Sequence, residues 1–190
     1  MNPTQNPVAL RSKEMITEGL LKLMVQEPYE EITVKHILFE ADVSRKTFYR
    51  NFSSKEDVLS TYIDRILYDY TTELLAKESY AFLKILDTVF DFCERHQAFL
   101  LLLRDNELLY LLLNKMNRLI LEEHGKVRRG NAPFVEVRSL SEYIVTFNIG
   151  GIWNILARWL ENDMQDSAEE IKKEIVYYLS HIHELDLRDL

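Results

Sequence analysis

Val43–Lys55, V-S-R-K-T-F-Y-R-N-F-S-S-K, is the stretch on which the fold turns. Ser44 is placed to cap a helix whose first turn is Arg45, Lys46 and Thr47, because a serine oxygen at that position reaches the amides two or three residues on. Val43 before the cap and Phe48 after it stand at the N′ and N4 positions of a hydrophobic staple, which fixes where the helix begins. At 100° per residue Phe48 and Phe52 share one face, Lys46 and Arg50 take the opposite face, and Thr47 and Tyr49 lie on the flanks. From Ser44 to Lys55 the cations Arg45, Lys46, Arg50 and Lys55 meet no Asp or Glu, in a chain whose net charge is −8. A local excess that opposes the global sign calls for a physical reason.

The preceding segment supplies one. Thr33 is placed to cap a helix in which Val34, Ile37, Leu38 and Ala41 recur at i, i+3, i+4 and i+7, and Ile32 and Ile37 form a second staple. Two short stapled helices joined by Asp42-Val43-Ser44 make a helix-turn-helix, the motif that presses its second helix, here residues 45–52, into the major groove of duplex DNA.

Residues 32–59, I-T-V-K-H-I-L-F-E-A-D-V-S-R-K-T-F-Y-R-N-F-S-S-K-E-D-V-L, resemble the DNA-binding domain of TetR/AcrR-family transcriptional regulators, in which T-V, A-x-V-S, T-F-Y, F and K-E recur in that order. The likeness covers the first third of the chain and is specific as a set. One departure is Asp42, where the family usually has Gly for a turn of positive φ; Asp is among the few other residues that reach that region cheaply. The resemblance implies Arg45, Lys46 and Thr47 at base edges or adjacent phosphates, Tyr49 and Lys55 at phosphates, and Thr33 at the backbone through its helix N-terminus. Ser44, Arg50 and Asn51 belong to the same surface.

Composition suits an all-α protein. Apolar residues make up 47% and charged residues 28%, and only five Gly and four Pro interrupt long segments of helical period. The single Cys93 forms no internal disulfide, which accords with a reducing, cytoplasmic setting. No apolar run approaches the ~20 residues of a bilayer span, so no membrane partner is expected. Residues 1–55 hold eight Lys+Arg and seven Asp+Glu, whereas residues 56–190 hold fifteen and twenty-four. An acidic body is repelled by phosphate, so binding to double-stranded DNA has to rest on a small, well-aimed basic face.

Residues 1–8 read as an arm and 10–26 as an amphipathic helix on Ile16, Leu20, Leu23 and Met24, with Gly19 permitting a close helix contact. Ser53 and Glu56 are spaced as a capping box for a helix running to about Leu75 without a linker. The domains expected are therefore a helix-turn-helix domain over 1–55 and a helical regulatory and dimerisation domain over 56–190. Within the latter, residues 80–124 give two or three helices, 126–133 a loop, and Ser139 with Glu142 a capping box for a long helix carrying F-N-I-G-G-I-W-N-I-L-A-R-W-L-E-N, which also resembles one branch of the family. Ser167 and Glu170 cap the last helix.

The family resemblance further implies a cavity for an apolar or amphipathic effector, and Phe92, Cys93, His96, Tyr110, Met116, Tyr143 and Phe147 are its candidate lining; filled core is the plainer account. It also implies a homodimer through the last two helices, where Trp153, Ile171, Ile175, Tyr178, Leu179 and Ile182 are candidates. Two copies would read half-sites ~34–36 Å apart. His181 and His183 point about 200° apart on one helix and share no metal ion, and Cys93 with His96 makes no catalytic arrangement, so neither metal, cofactor nor enzyme activity is expected. The function expected is a ligand-responsive repressor, a homodimer on a palindromic operator. The alternative is a helical ligand- or partner-binding protein that has lost DNA binding.

Overall fold

The computed structural model describes residues 7–76, 82–126 and 141–181. Among these the regular structure is helical throughout: α1 (Pro7–Gln26), a single 3-10 turn (Tyr29–Glu31), α2 (Val34–Glu40), α3 (Arg45–Asn51), α4 (Lys55–Ala76), α5 (Phe82–Arg95), α6 (Gln97–Asp105), α7 (Leu109–Lys126), α8 (Glu142–Glu161) and α9 (Ala168–His181). The all-α expectation holds. None of the described helices is long and apolar enough to cross a membrane.

Two compact units divide the chain. One comprises the chain up to Glu73 with Leu102–Leu119; the other comprises Leu74–Leu101 and the chain from Ile120 onward.

In the first unit α1 packs across α2 and α3. Its buried stripe is Ile16, Gly19, Leu20, Leu23 and Met24, and Ile37 from α2 and Phe48 from α3 close the core against it, both fully buried. The helix begins at Pro7 rather than Leu10, because a proline in the first turn has its φ preset and needs no amide partner there. Gly19 does permit a close approach: Ala41 lies directly above it.

The turn between α2 and α3 satisfies the carbonyls that end α2. The Val43 amide donates to Leu38 (3.1 Å) and the Asp42 amide to Phe39 (3.3 Å), the paired bonds of a Schellman motif. Asp42 takes φ 49°, the left-handed geometry foreseen for it.

Two helix starts differ from the sequence expectation. The α4 cap is Ser54, whose hydroxyl accepts from the Asp57 amide (3.3 Å), while the Asp57 carboxylate accepts from the Ser53 amide (2.8 Å) and hydroxyl (3.0 Å). The box therefore sits one residue later than Ser53 and Glu56. The cause is Phe52, which stays extended and buried beside Phe48 and so delays the next helical turn. The cap of α8 is Ser141, with its oxygen 3.3 Å from the Ile144 amide; Ser139 lies outside the described residues, as do Ile182, His183 and the segment 127–140. Lys126, expected in a loop, ends α7 instead.

In the second unit Leu86, Val89, Phe90, Phe92 and Cys93 of α5 are buried. Phe90 meets Trp159 of α8 with ring centroids 5.2 Å apart, and the Trp159 indole donates to the Asp166 carbonyl at 2.8 Å. Lys172 of α9 donates to Asp87 of α5 at 3.0 Å. The Ser167–Glu170 box opens α9 as expected: the serine hydroxyl donates to the glutamate at 2.7 Å and accepts from its amide at 3.2 Å.

Candidate nucleic-acid interface

The surface built by α2, α3 and their turn follows from two caps and two buried anchors. Thr33 accepts from the His36 amide (3.3 Å) and Ser44 from the Thr47 amide (3.1 Å), with the Ser44 and Thr47 hydroxyls also 2.9 Å apart. Ile32 and Ile37 are both buried, as the staple of α2 requires; in that of α3, Phe48 is buried and Val43 partly so. Phe48 and Phe52, ring centroids 6.2 Å apart, hold the inner side of α3. With that side fixed, the outer side can point only to solvent.

Arg45, Lys46 and Arg50 are all exposed there, and Thr47 and Asn51 partly so. Among the described residues neither Lys46 nor Arg50 has an acidic partner, so both charges are available to an incoming anion. The Arg45 guanidinium carbon lies 5.5 Å from the centre of the Tyr49 ring, a cation–π contact that limits where an exposed arginine reaches. Tyr49 packs edge-on against Phe48 and is itself exposed. Asn51 turns its amide back to the Thr47 carbonyl (2.8 Å).

Lys55 is placed differently from its neighbours. Its ammonium donates to the carbonyls of Tyr29 (2.6 Å), Ile32 (2.8 Å) and Glu30 (3.1 Å) and sits 4.5 Å over the Tyr29 ring. The group expected at a phosphate thus has all three protons engaged by the protein's own backbone. Burial, then Glu56, then Tyr110, raise the Tyr29 phenol far above its usual range. Glu56 itself is held below the usual carboxylate range, chiefly by the Ser54 hydroxyl.

Sequence patterns alone do not single out three residues. Phe39 of α2 is 89% exposed, an apolar ring on the polar side of a short helix. Asn106, following α6, accepts from the Tyr29 amide (2.8 Å) and donates to the carbonyls of Leu102 (2.9 Å) and Met24 (3.2 Å). His124 is 5% exposed, and among the described residues neither of its ring nitrogens has a hydrogen-bond partner.

The candidate effector residues fall into both units. Phe92 and Cys93 are buried and His96 stacks on Phe92 at 4.7 Å, all in the second unit. Tyr110, exposed, and Met116, buried, belong to the first. Tyr143 and Phe147 stand 87% and 76% exposed on α8. Of the candidate dimer residues, Trp153, Ile171 and Ile175 are half-buried, and Tyr178 and Leu179 are exposed.

The sequence pattern of bacterial regulatory proteins of the TetR family matches residues 16–61, and that of a transcriptional regulator C-terminal region matches residues 79–181, more than half of the chain. The chain belongs to the TetR family. It is a helix-turn-helix, DNA-binding transcriptional regulator. Among curated proteins none matches this TetR-family chain. Among solved structures, the fatty acid degradation regulator FadR from Bacillus halodurans superposes with a TM-score of 0.60 at 17% identity, covering 93% of this chain and 96% of its own. A dihydroxyacetone kinase operon activator, DhaS, gives 0.51 at 19% identity, covering 88% and 93%. At such identities the likeness is one of fold.

Proposed function

We propose that this TetR-family protein is a ligand-responsive repressor that binds a palindromic operator as a homodimer. The observation that carries the DNA-reading part is the outer side of α3: exposed Arg45, Lys46 and Arg50 on a helix locked from behind by Phe48. Arg45, Lys46 and Thr47 read base edges or the phosphates beside them, Tyr49 and Thr33 meet phosphates, and Ser44, Arg50 and Asn51 complete the surface. A bidentate arginine on guanine contributes ~1–3 kcal/mol of discrimination, whereas phosphate contacts add affinity without sequence preference.

Dimerisation is supported by the apolar surface of the last two helices. Tyr143, Ile144 and Phe147 of α8 and Val176, Tyr177, Tyr178 and Leu179 of α9 are exposed, more apolar side chains than a monomer leaves in water without a use. Trp153, Ile171 and Ile175 lie along the same two helices. In this reading Tyr143 and Phe147 serve the partner subunit rather than an effector.

Effector sensing is supported by Phe92 and His96 and by the unpartnered His124, all in the second unit. An apolar or amphipathic molecule carrying one hydrogen-bonding group suits such surroundings. That one structural relative regulates fatty acid degradation accords with this chemistry.

The deciding experiment selects binding sites from a random duplex pool and measures affinity at several salt concentrations, with Arg45→Ala/Lys46→Ala alongside. Recovery of a palindrome whose half-sites lie about one helical turn, ~34–36 Å, apart, bound weakly by the double variant, is expected. Recovery of no preferred sequence, or binding indifferent to the double variant, returns the chain to the reading of a helical partner-binding protein. Sedimentation showing only monomer at micromolar concentration removes the dimer.

A further inference from the structure

The chain between α1 and α2 is gripped by two side chains from elements distant in sequence. From the start of α4, the Lys55 ammonium donates to the carbonyls of Tyr29, Glu30 and Ile32 at 2.6, 3.1 and 2.8 Å. From the end of α6, the Asn106 amide accepts from the Tyr29 amide at 2.8 Å and donates to the Met24 carbonyl at 3.2 Å. Tyr29 is thus held at its nitrogen by one side chain and at its oxygen by the other. Ile32, the last residue gripped, directly precedes Thr33, the cap of α2.

We infer that Lys55 and Asn106 are positioning residues for DNA reading: they fix the turn from which α2 departs, and so set how the helix-turn-helix is presented to the duplex. The inference rests on the DNA-binding reading but assigns Lys55 a task other than a phosphate contact. The physical ground is that an ammonium has three protons and Lys55 has three carbonyl oxygens around it; moving it to a phosphate takes that donor from Glu30 and Ile32 and leaves Tyr29 only the Ile32 amide at 3.2 Å. An ammonium also suits converging carbonyls in a way that a planar guanidinium, built for two parallel bonds, does not.

The test is affinity for the selected operator over a range of salt concentrations, using Lys55→Met, Lys55→Arg, Asn106→Leu, the Lys55→Met/Asn106→Leu double variant and Arg45→Ala. A lost phosphate contact flattens the slope of log K against log salt by about 0.9. We expect Lys55→Met and Lys55→Arg to bind roughly tenfold more weakly, the loss expected when charge-assisted hydrogen bonds are broken, with the slope unchanged. Asn106→Leu should do the same despite carrying no charge, and the double variant should bind no more weakly than the product of shared effects allows, that is, less than additively. Arg45→Ala should weaken binding in the ordinary way and shows that the assay detects lost DNA contacts. A flattened slope in Lys55→Met together with normal binding by Lys55→Arg makes Lys55 a phosphate contact and overturns the inference. Normal binding by Asn106→Leu overturns it too, as does loss of helical circular dichroism in either single variant, which makes the residue a requirement for folding. If the unaltered chain binds no duplex, the DNA reading fails first, an outcome distinct from all of these.

Discussion

The Cβ of Ala41 lies 3.1 Å from where a Cβ on Gly19 would sit, and the Ala41 backbone nitrogen lies 3.3 Å from the same point. Two opposed effects meet at this crossing. Alanine is worth about 1 kcal/mol more than glycine inside a helix, whereas an extra methyl in a filled space costs typically 1–3 kcal/mol. The neighbour here is the C-terminal cap of α2, tied to Ile37 and Phe39, and cannot move without opening the turn before α3. Crowding therefore wins. Gly19→Ala should lower the melting temperature by a few degrees, and Gly19→Leu should abolish operator binding; thermal denaturation and fluorescence anisotropy check the two. A rise in melting temperature for Gly19→Ala would show that helix preference governs.

Asp42 carries two costs that separate by substitution. Its φ of 49° strains any residue but glycine by up to ~1 kcal/mol, and its carboxylate is exposed in the helix-turn-helix. Asp42→Gly should raise both melting temperature and DNA affinity. Asp42→Asn, which tolerates the same geometry without the charge, should raise affinity alone. Equal affinity for the wild type and Asp42→Asn would show that the carboxylate lies too far from the phosphates to matter.

Periodicity and caps made the helix-turn-helix legible because staples, cap and charge all fall within 28 consecutive residues, 32–59. The left-handed turn at Asp42 and the close approach at Gly19 were equally visible, since few residue types serve such places. The caps of α4 and α8 were each misplaced among neighbouring serines, where composition offers two hydroxyls and only tertiary packing, such as the burial of Phe52, chooses between them. Lys55 and Asn106 illustrate the remaining gap. Their partners are backbone carbonyls and an amide, which carry no sequence signal, at separations of 23 to 26 residues for Lys55 and 77 to 82 for Asn106 in the turn.

Cys93 gives a prediction about pH. Burial, with a smaller push from Glu94, raises its thiol from 9.0 to about 12, so the folded chain holds the proton where the unfolded chain releases it. The stability this contributes is whole below pH 9.0 and is lost as pH rises through the interval to about 12. Native protein at pH 8 should react with a thiol reagent only as fast as it opens, and unfolding in guanidinium should release its single thiol at once. Rapid stoichiometric labelling of native protein would place the sulfur at the surface.

His124 sets the last prediction, because a buried imidazole with two unpartnered nitrogens is a cost in the free chain and an opportunity for a ligand. A buried polar group left without a hydrogen bond costs about 1–3 kcal/mol, and leucine fills a similar volume without polar atoms. His124→Leu should therefore raise the melting temperature of the ligand-free protein, by roughly 2–4 °C for each kcal/mol in a chain of this size. If the proposed effector pairs with this imidazole, the same substitution should also remove the response of operator binding to it. The two readouts must move in opposite senses: greater stability, lost response. A destabilised His124→Leu would mean that the imidazole already has a partner in solution, a bound water being the simplest, and the effector would then have to be sought at Phe92 and His96 without it.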